Sequence, residues 1–300
     1  MREMGEEVRM GKEKKEGNGA GFDLERSLDD GVMPGSIAEI LGGVKLRLTQ
    51  RDYEIFLFLL DQKFATLESL YFRFFDQRKT TNEALPENLA VARQRLGILK
   101  RAGLVFTERV YSESKSLYLL SPLGYRFFEG RMPSDAYAGP VKAVDFRNYE
   151  HDQAVNYCRV VIERGGKCLK WYSERRIRKL GFSHNGIELP GTIVPDGVFI
   201  SSKGERVAFE YEGTHRKKTR YAFKMDEYER VLRGRDPLFN QVIFVSGSQR
   251  VHEDLKELMG VRSQFMLESY GYFLKKLFPS VVVSKATNLG QKTGLGAEEK

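Results

Sequence analysis

The stretch PDGVFISSKGERVAFEYEGT, from Pro195 to Thr214, constrains this chain more than any other. Short, largely apolar runs lie on either side of a turn, which is the pattern of two antiparallel strands. Acids bracket the pair, with Asp196 at its start and Glu210 and Glu212 at its end. Side chains along a strand alternate faces, so Glu210 and Glu212 point the same way. The place of Asp196 depends on the turn. A three-residue loop, Ser202-Lys203-Gly204, puts glycine at the left-handed position such loops need and sets Asp196 opposite Glu210. A two-residue loop sets Asp196 opposite Tyr211 and breaks the cluster. Under the first register Ile193, Phe199, Val207, Phe209 and Tyr211 form a consistent core face.

Clustered acids are costly. Two carboxylates about 4 Å apart repel by about 4 kcal/mol at an effective dielectric of about 20. A fold keeps them by protonating one, by pairing them with basic residues such as Arg175, Lys217 and Lys218, or by binding a hard divalent cation. Mg2+ takes one or two carboxylates together with water and phosphate oxygens. A cation so held polarises a phosphodiester and acidifies a bound water. Glu174 opens a short helix just after a strand and is a further acid for the same place.

Upstream the periodicity is helical. In LTQRDYEIFLFLLDQ, Thr49 is the expected N-cap with Asp52 in the first turn, and Tyr53, Phe56, Leu57 and Leu60 recur at i, i+3, i+4 and i+7. ATLESLYFRFF is a second helix capped by Thr66. NLAVARQRLGILKRAGL is a third, with Leu89, Ala92, Leu96 and Leu99 on one face and Gly103 as its terminator. Arg93, Gln94, Lys100 and Arg101 lie off that face. Two strand-like runs follow, LVFTERVY and SLYLLSP, joined by SESK with Lys115 in the turn. Three helices and then a hairpin is the order of a winged helix, whose third helix enters the major groove of DNA. Arginine reads guanine edges and Lys100 suits phosphate, so Arg93, Gln94, Lys100, Arg101 and Lys115 are the expected DNA contacts.

After a Gly- and Pro-containing connector, helix and strand alternate: HDQAVNYCRVVIERGG, CLKWY, SERRIRKL, the acidic hairpin, THRKKTRYAFKMDEYERVLR capped by Thr214, QVIFVSG and SQRVHEDLKELM. This half is α/β. The expected divisions are a disordered tail over 1–35, a winged helix over 44–130, a linker over 131–143, an α/β domain over 144–284 and a second tail over 285–300. The fold class is therefore α/β, α+β overall.

The formal charge of +8 favours an anionic partner. No run of apolar residues is long enough to cross a bilayer, and the first residues lack the apolar core of a secretory signal. Cys158 and Cys168 form neither a disulfide framework nor a metal-ligand spacing, which fits a reduced, cytoplasmic protein. Asp152, beside His151, is expected to cap its helix with a local His contact, a site role for the pair being the lesser expectation, and Trp171 is expected to lie in the core.

PD at 195–196 followed by a hairpin and EYE at 210–212 resembles the PD-(D/E)-x-K nuclease core. The resemblance makes Asp196 and Glu210 metal ligands, with Glu174 assisting. Glu212 stands where the motif lysine usually sits, and Lys224 in KMDEY is the candidate replacement, with Lys217 and Lys218 as alternatives. The wider series, LTQRDYEIF, LSPLG, HDQAVN, SE, PDG, FEYEGT and KMDEY, resembles the replication-relaxation family, which includes MobC-like plasmid mobilisation proteins. That resemblance implies a restriction-endonuclease-like second domain and Mg2+ or Mn2+ held by Asp196, Glu210 and Glu174. It also implies double-stranded DNA at a plasmid or mobile-element origin as partner, alongside transfer or replication proteins. The expected activity is relaxase-like strand nicking, with Glu174, Asp196, Glu210, Glu212 and Lys224 as catalytic residues. The alternative is a DNA-binding accessory without catalysis. A tyrosine nucleophile, Tyr211 or Tyr228, is the lesser expectation, because the register sends Tyr211 to the core.

Overall fold

A computed structural model describes residues 38–41, 44–76, 89–111, 115–129 and 137–275. Both expected tails, 1–35 and 285–300, and much of the connectors around residues 80 and 133 lie outside the described residues.

The N-terminal elements begin with a short hairpin, β1 (Ala38–Leu41) and β2 (Val44–Arg47). Helix α1 (Gln50–Gln62) follows, then β3 (Ala65–Thr66), α2 (Leu67–Phe74) and α3 (Ala90–Arg101). Strands β4 (Val105–Glu108) and β5 (Leu117–Leu120) and helix α4 (Pro122–Glu129) complete this set. Local chemistry sets these boundaries. Asp52 Oδ2 accepts from the Thr49 amide at 2.7 Å and its hydroxyl at 2.8 Å, which closes the start of α1. The Thr66 hydroxyl accepts from the Ser69 amide at 3.2 Å and starts α2. Helix α3 ends in a Schellman turn, with Gly103 N–H donating to Lys100 O and Leu104 N–H to Leu99 O, each at 3.0 Å. The strands form an antiparallel sheet in the order β3-β5-β4.

Asp52 does more than cap. It is fully buried, and its Oδ1 accepts from Arg95 Nε at 2.8 Å. Arg95 also donates to the Arg47 carbonyl at 2.8 Å, so α3 is tied to α1 and β2 by one guanidinium.

The C-terminal elements are α5 (Tyr149–Arg164), β6 (Cys168–Ser173), α6 (Glu174–Leu180) and a small hairpin of β7 (Ser183–His184) and β8 (Ile187–Glu188). Next come β9 (Gly197–Ser201), β10 (Arg206–Glu212), α7 (Lys218–Leu232), β11 (Gln241–Ser246), α8 (Gln249–Met259), β12 (Phe265–Ser269) and α9 (Tyr270–Lys275). Five strands form one sheet in the order β12-β11-β10-β9-β6. Strand β10 runs parallel to β11, and β11 to β12, whereas the pairings of β10 with β9 and of β9 with β6 are antiparallel. The chain is thus a mixed α/β protein. No described helix is long and apolar enough to cross a membrane.

Both faces of the sheet are covered. Val207 and Phe209 of β10 pack with Phe199, Trp171, Val155 and Cys158 beneath α5. Ala208 and Val198 face the other layer with Met225, Tyr228 and Phe244. Ile193 belongs to this second layer, not to the Val207 face expected from the hairpin pattern, because the chain turns between Ile193 and β9. Trp171 lies in the core as expected, and a Cβ at Gly197 would overlap its ring. Only glycine fits at that place, directly after Asp196.

The two sets of elements share a core. Val160 and Val161 of α5 and Leu274 of α9 pack in one cluster with Phe58 and Leu59 of α1 and Phe72 of α2. A buried ionic chain runs beside it: Arg159 meets Asp61 at 3.2 Å and Glu163 at 2.9 Å, and Glu163 also meets Arg73. Asn156 donates to the Phe64 carbonyl at 2.6 Å.

Candidate functional site

The hairpin adopts the three-residue loop. Phe209 pairs with Gly197 and Ala208 with Val198, a register that continues to Glu210 opposite Asp196. Gly204 closes the loop with φ of 81° and donates to Ser201 O at 2.9 Å. Asp196 sits just before β9 at the sheet end, and its Oδ2 accepts the Tyr211 amide at 2.8 Å. Glu210 and Glu212 share the face of β10 that looks toward α7, and both are buried.

Helix α7 answers these acids. Lys224 Nζ donates to Glu210 Oε2 at 3.0 Å and to Glu212 Oε1 at 2.6 Å. One turn later Tyr228 donates to Glu210 Oε1 at 2.5 Å. Of the three candidate lysines only Lys224 reaches the acids. Lys218 pairs with Asp254 and Glu257 at 3.3 and 2.7 Å, and Lys217 stands before the helix as its N-cap. The helix starts at Lys218, four residues beyond the Thr214 cap expected from sequence. Tyr221 holds that intervening stretch out of the helix: its hydroxyl donates to Thr214 O at 3.2 Å and accepts the Arg216 amide at 3.0 Å.

The fourth wall comes from α5. That helix begins at Tyr149, so Asp152 falls inside its first turn and does not cap it as expected. Asp152 instead receives Lys63 Nζ on both oxygens at 2.8 Å. His151 turns toward the acids, with Nε2 3.3 Å from Asp196 Oδ2 and its ring edge-on to Tyr211. The sequence left a site role for His151 as the lesser expectation, and it gave no sign of Tyr228 as a partner of Glu210 or of Lys63 at the cleft. The HD pair was visible in the sequence, but the contact depends on how α5 packs over β10.

Electrostatics follow from the crowding. Burial pushes Glu210 up to about 7, assisted by the charges of Asp196 and Glu212, with Lys224 opposing. Asp196 is held below the usual carboxylate range: burial works against ionisation, but the His151 hydrogen bond and charge, Lys224 and the Tyr211 amide outweigh it. Burial opposes charge on Lys224, yet Glu210, Glu212 and Asp196 hold its proton firmly. His151 is likewise lifted, to about 10, by Asp152 and Asp196 against the cost of burial.

These groups line one cleft of about 460 Å3, together with Glu174, Tyr211 and Thr214. Its lining also carries Lys63, Arg147, Arg178, Arg216 and Arg220. Glu174 lies on the cleft wall, where Arg178 holds its Oε1 at 2.7 Å. The cleft is thus acidic at its centre and basic around it. The arrangement can hold an anionic ligand on its arginines against a buried carboxylate cluster. Among the described residues no group of three or more His, Cys, Asp or Glu side chains is placed to bind a metal ion.

Arg93, Gln94, Lys100 and Arg101 lie exposed on α3, apart from the residues that line the cleft. Lys100 Nζ donates to Thr107 Oγ1 at 2.6 Å. Lys115 is exposed too and pairs with Glu68.

No curated protein and no solved structure matches the chain. The family described as replication-relaxation matches over residues 57–242, more than half of the chain and the whole of the cleft's acidic centre. The chain belongs to the replication-relaxation family, a membership that associates it with replication or mobilisation.

Proposed function

We propose that the protein binds double-stranded DNA through a winged helix formed by its N-terminal elements and nicks one strand in the cleft of a PD-(D/E)-x-K-like α/β domain. The observation that carries this reading is the convergence of Asp196, Glu210 and Lys224 in one arginine-rimmed cleft. Two facing carboxylates, one just before β9 and one on β10, with a lysine across them, supply a donor set for such cleavage.

A Mg2+ or Mn2+ ion fits the chemistry of these residues. Such an ion takes one or two carboxylates and fills its remaining positions with water and phosphate oxygens. Asp196 and Glu210 would hold it, with Glu174 on the near wall, and when bound it would acidify a water and polarise the phosphodiester. Burial, with the charges of Asp196 and Glu212, already pushes Glu210 up to about 7, and a cation would oppose that shift. The chain's own residues do the rest. Arg147, Arg178, Arg216 and Arg220 seat the phosphate backbone. Lys224, kept charged by its neighbours, steadies negative charge developing on the phosphoryl oxygens and takes the place of the motif lysine displaced by Glu212. His151 fixes Asp196 from the opposite side. On α3, Arg93, Gln94, Lys100 and Arg101 face outward as a groove-reading helix needs, and Lys115 is exposed just before β5.

One observation favours a second reading, a non-catalytic DNA-binding accessory. Lys224 bridges Glu210 and Glu212, and Arg178 holds Glu174, so the acids are already satisfied within the fold. Nicking of supercoiled plasmid separates the two. The proposal expects divalent-dependent nicks by the wild type, reduced at least about 100-fold in Asp196→Ala and Glu210→Ala. Specific DNA binding by all three proteins without any nick establishes the accessory.

A further inference from the structure

Helix α1 belongs to the N-terminal elements, yet its end is built into the cleft. Lys63, the residue that ends α1, has φ of 70° and ψ of −48°. A side chain at positive φ is strained, and glycine would make this turn at lower cost. The lysine is nonetheless there, and its ammonium reaches both oxygens of Asp152 at 2.8 Å. Asp152 is the neighbour of His151, whose Nδ1 lies 3.9 Å from Asp152 Oδ1 and whose Nε2 lies 3.3 Å from Asp196 Oδ2.

The two preceding residues point the same way. Asp61 receives Arg159 and the Ser173 hydroxyl, each at 3.2 Å. Gln62 is buried, and its Nε2 has no hydrogen-bond partner. It lines a cavity of about 20 Å3 shared with Lys63, His151, Asp152, Glu174 and Asp196. A space of that size with several polar walls holds one water, which would give Gln62 its partner and link it to the back of the acidic centre. The other end of α1 is pinned to α3 by Asp52 and Arg95.

We propose that Lys63 is a positioning residue for the cleavage site, acting through Asp152 and His151 on Asp196, so that the site in the α/β half is complete only with the N-terminal helix in place. The proposal rests on the nicking function above. Lys63 touches none of the acids that would hold the cation. Its work is to fix Asp152, which fixes the His151 ring against Asp196. Because α1 is also bound to α3, the same helix joins the proposed DNA-reading surface to the cleft.

The test uses the full chain and Lys63→Gly, which removes the ammonium and relieves the backbone, with Asp152→Asn as a second variant that leaves the turn untouched. Imidazole 15N chemical shifts of His151 are recorded alongside nicking of supercoiled plasmid in Mg2+ and binding to duplex DNA. Both variants are expected to move the His151 signals and to slow nicking about tenfold, a larger effect than any change in duplex affinity. Lys63→Arg is expected to restore most of the rate. Unmoved His151 signals in both variants overturn the proposal, as does a nicking rate equal to wild type. Should the wild type not nick at all, the function above fails on its own, and the His151 signals still decide whether Lys63 positions that ring.

Discussion

Asp196 Oδ2 accepts the backbone amide of Tyr211 at 2.8 Å, which pins the acid that precedes β9 to the residue between Glu210 and Glu212. A strand pairing that ends one residue earlier thus gains a side-chain rung, and the rung brings the carboxylates together. The fold meets the resulting repulsion with Lys224, Tyr228 and His151. That balance makes the cluster sensitive to the loss of any one partner.

Lys224→Met keeps the aliphatic stem and removes the charge. Glu210 and Glu212, both buried, then lose their shared cation. The expected loss is about 3 kcal/mol at pH 8, above the value of about 7 at which Glu210 ionises. At pH 5 Glu210 is protonated, so the loss is smaller. Urea denaturation at the two pH values measures the difference. Equal losses at both would mean that the contribution of Lys224 does not act through the charge of Glu210.

Glu210 also sets a pH dependence. The folded protein keeps this proton up to about pH 7, whereas the unfolded chain releases it near 4.5. Between those values the folded state binds more protons, so this group's contribution to stability falls as pH rises, on the order of 3 kcal/mol in all. Glu210→Gln has no proton to lose. Its thermal midpoint is expected to exceed that of the wild type at pH 8, and the gap is expected to close by pH 5. A gap independent of pH would show that Glu210 is not the group responsible.

The hairpin and its acids were legible because a period of two, a glycine at the one left-handed loop position and bracketing carboxylates all agree on a single register. Lys224 was legible only through the resemblance, which lets the motif lysine move to the following helix, and Lys224 does reach Glu210 and Glu212 from there. The helix start was not, since Thr214 has cap chemistry but Tyr221 draws its carbonyl into a tertiary bond. His151 and Lys63 were hidden for a related reason. Their partners, Asp196 and Asp152, are distant in the chain, and only the packing of α1 and α5 against the sheet brings them together. Strand β12 escaped notice because Phe265–Ser269 holds a single buried residue, Phe265. Its place is set by pairing with β11.

The exposed face of α3 makes a prediction about salt. If Arg93, Lys100 and Arg101 contact phosphate, the logarithm of duplex affinity falls linearly with the logarithm of salt concentration. Lys100→Ala is expected to weaken binding alike on all sequences and to lower the slope by about 1. Fluorescence anisotropy over a salt series reads both quantities. An unchanged slope in Lys100→Ala would remove that residue from the interface.

The most direct test of a shared cation cleft is Mn2+ paramagnetic resonance with duplex DNA present, comparing the wild type with the Asp196→Asn, Glu210→Gln double variant. A bound-Mn2+ signal in the wild type that disappears in the double variant is the predicted result. Equal Mn2+ binding by both proteins, or by neither, would contradict it.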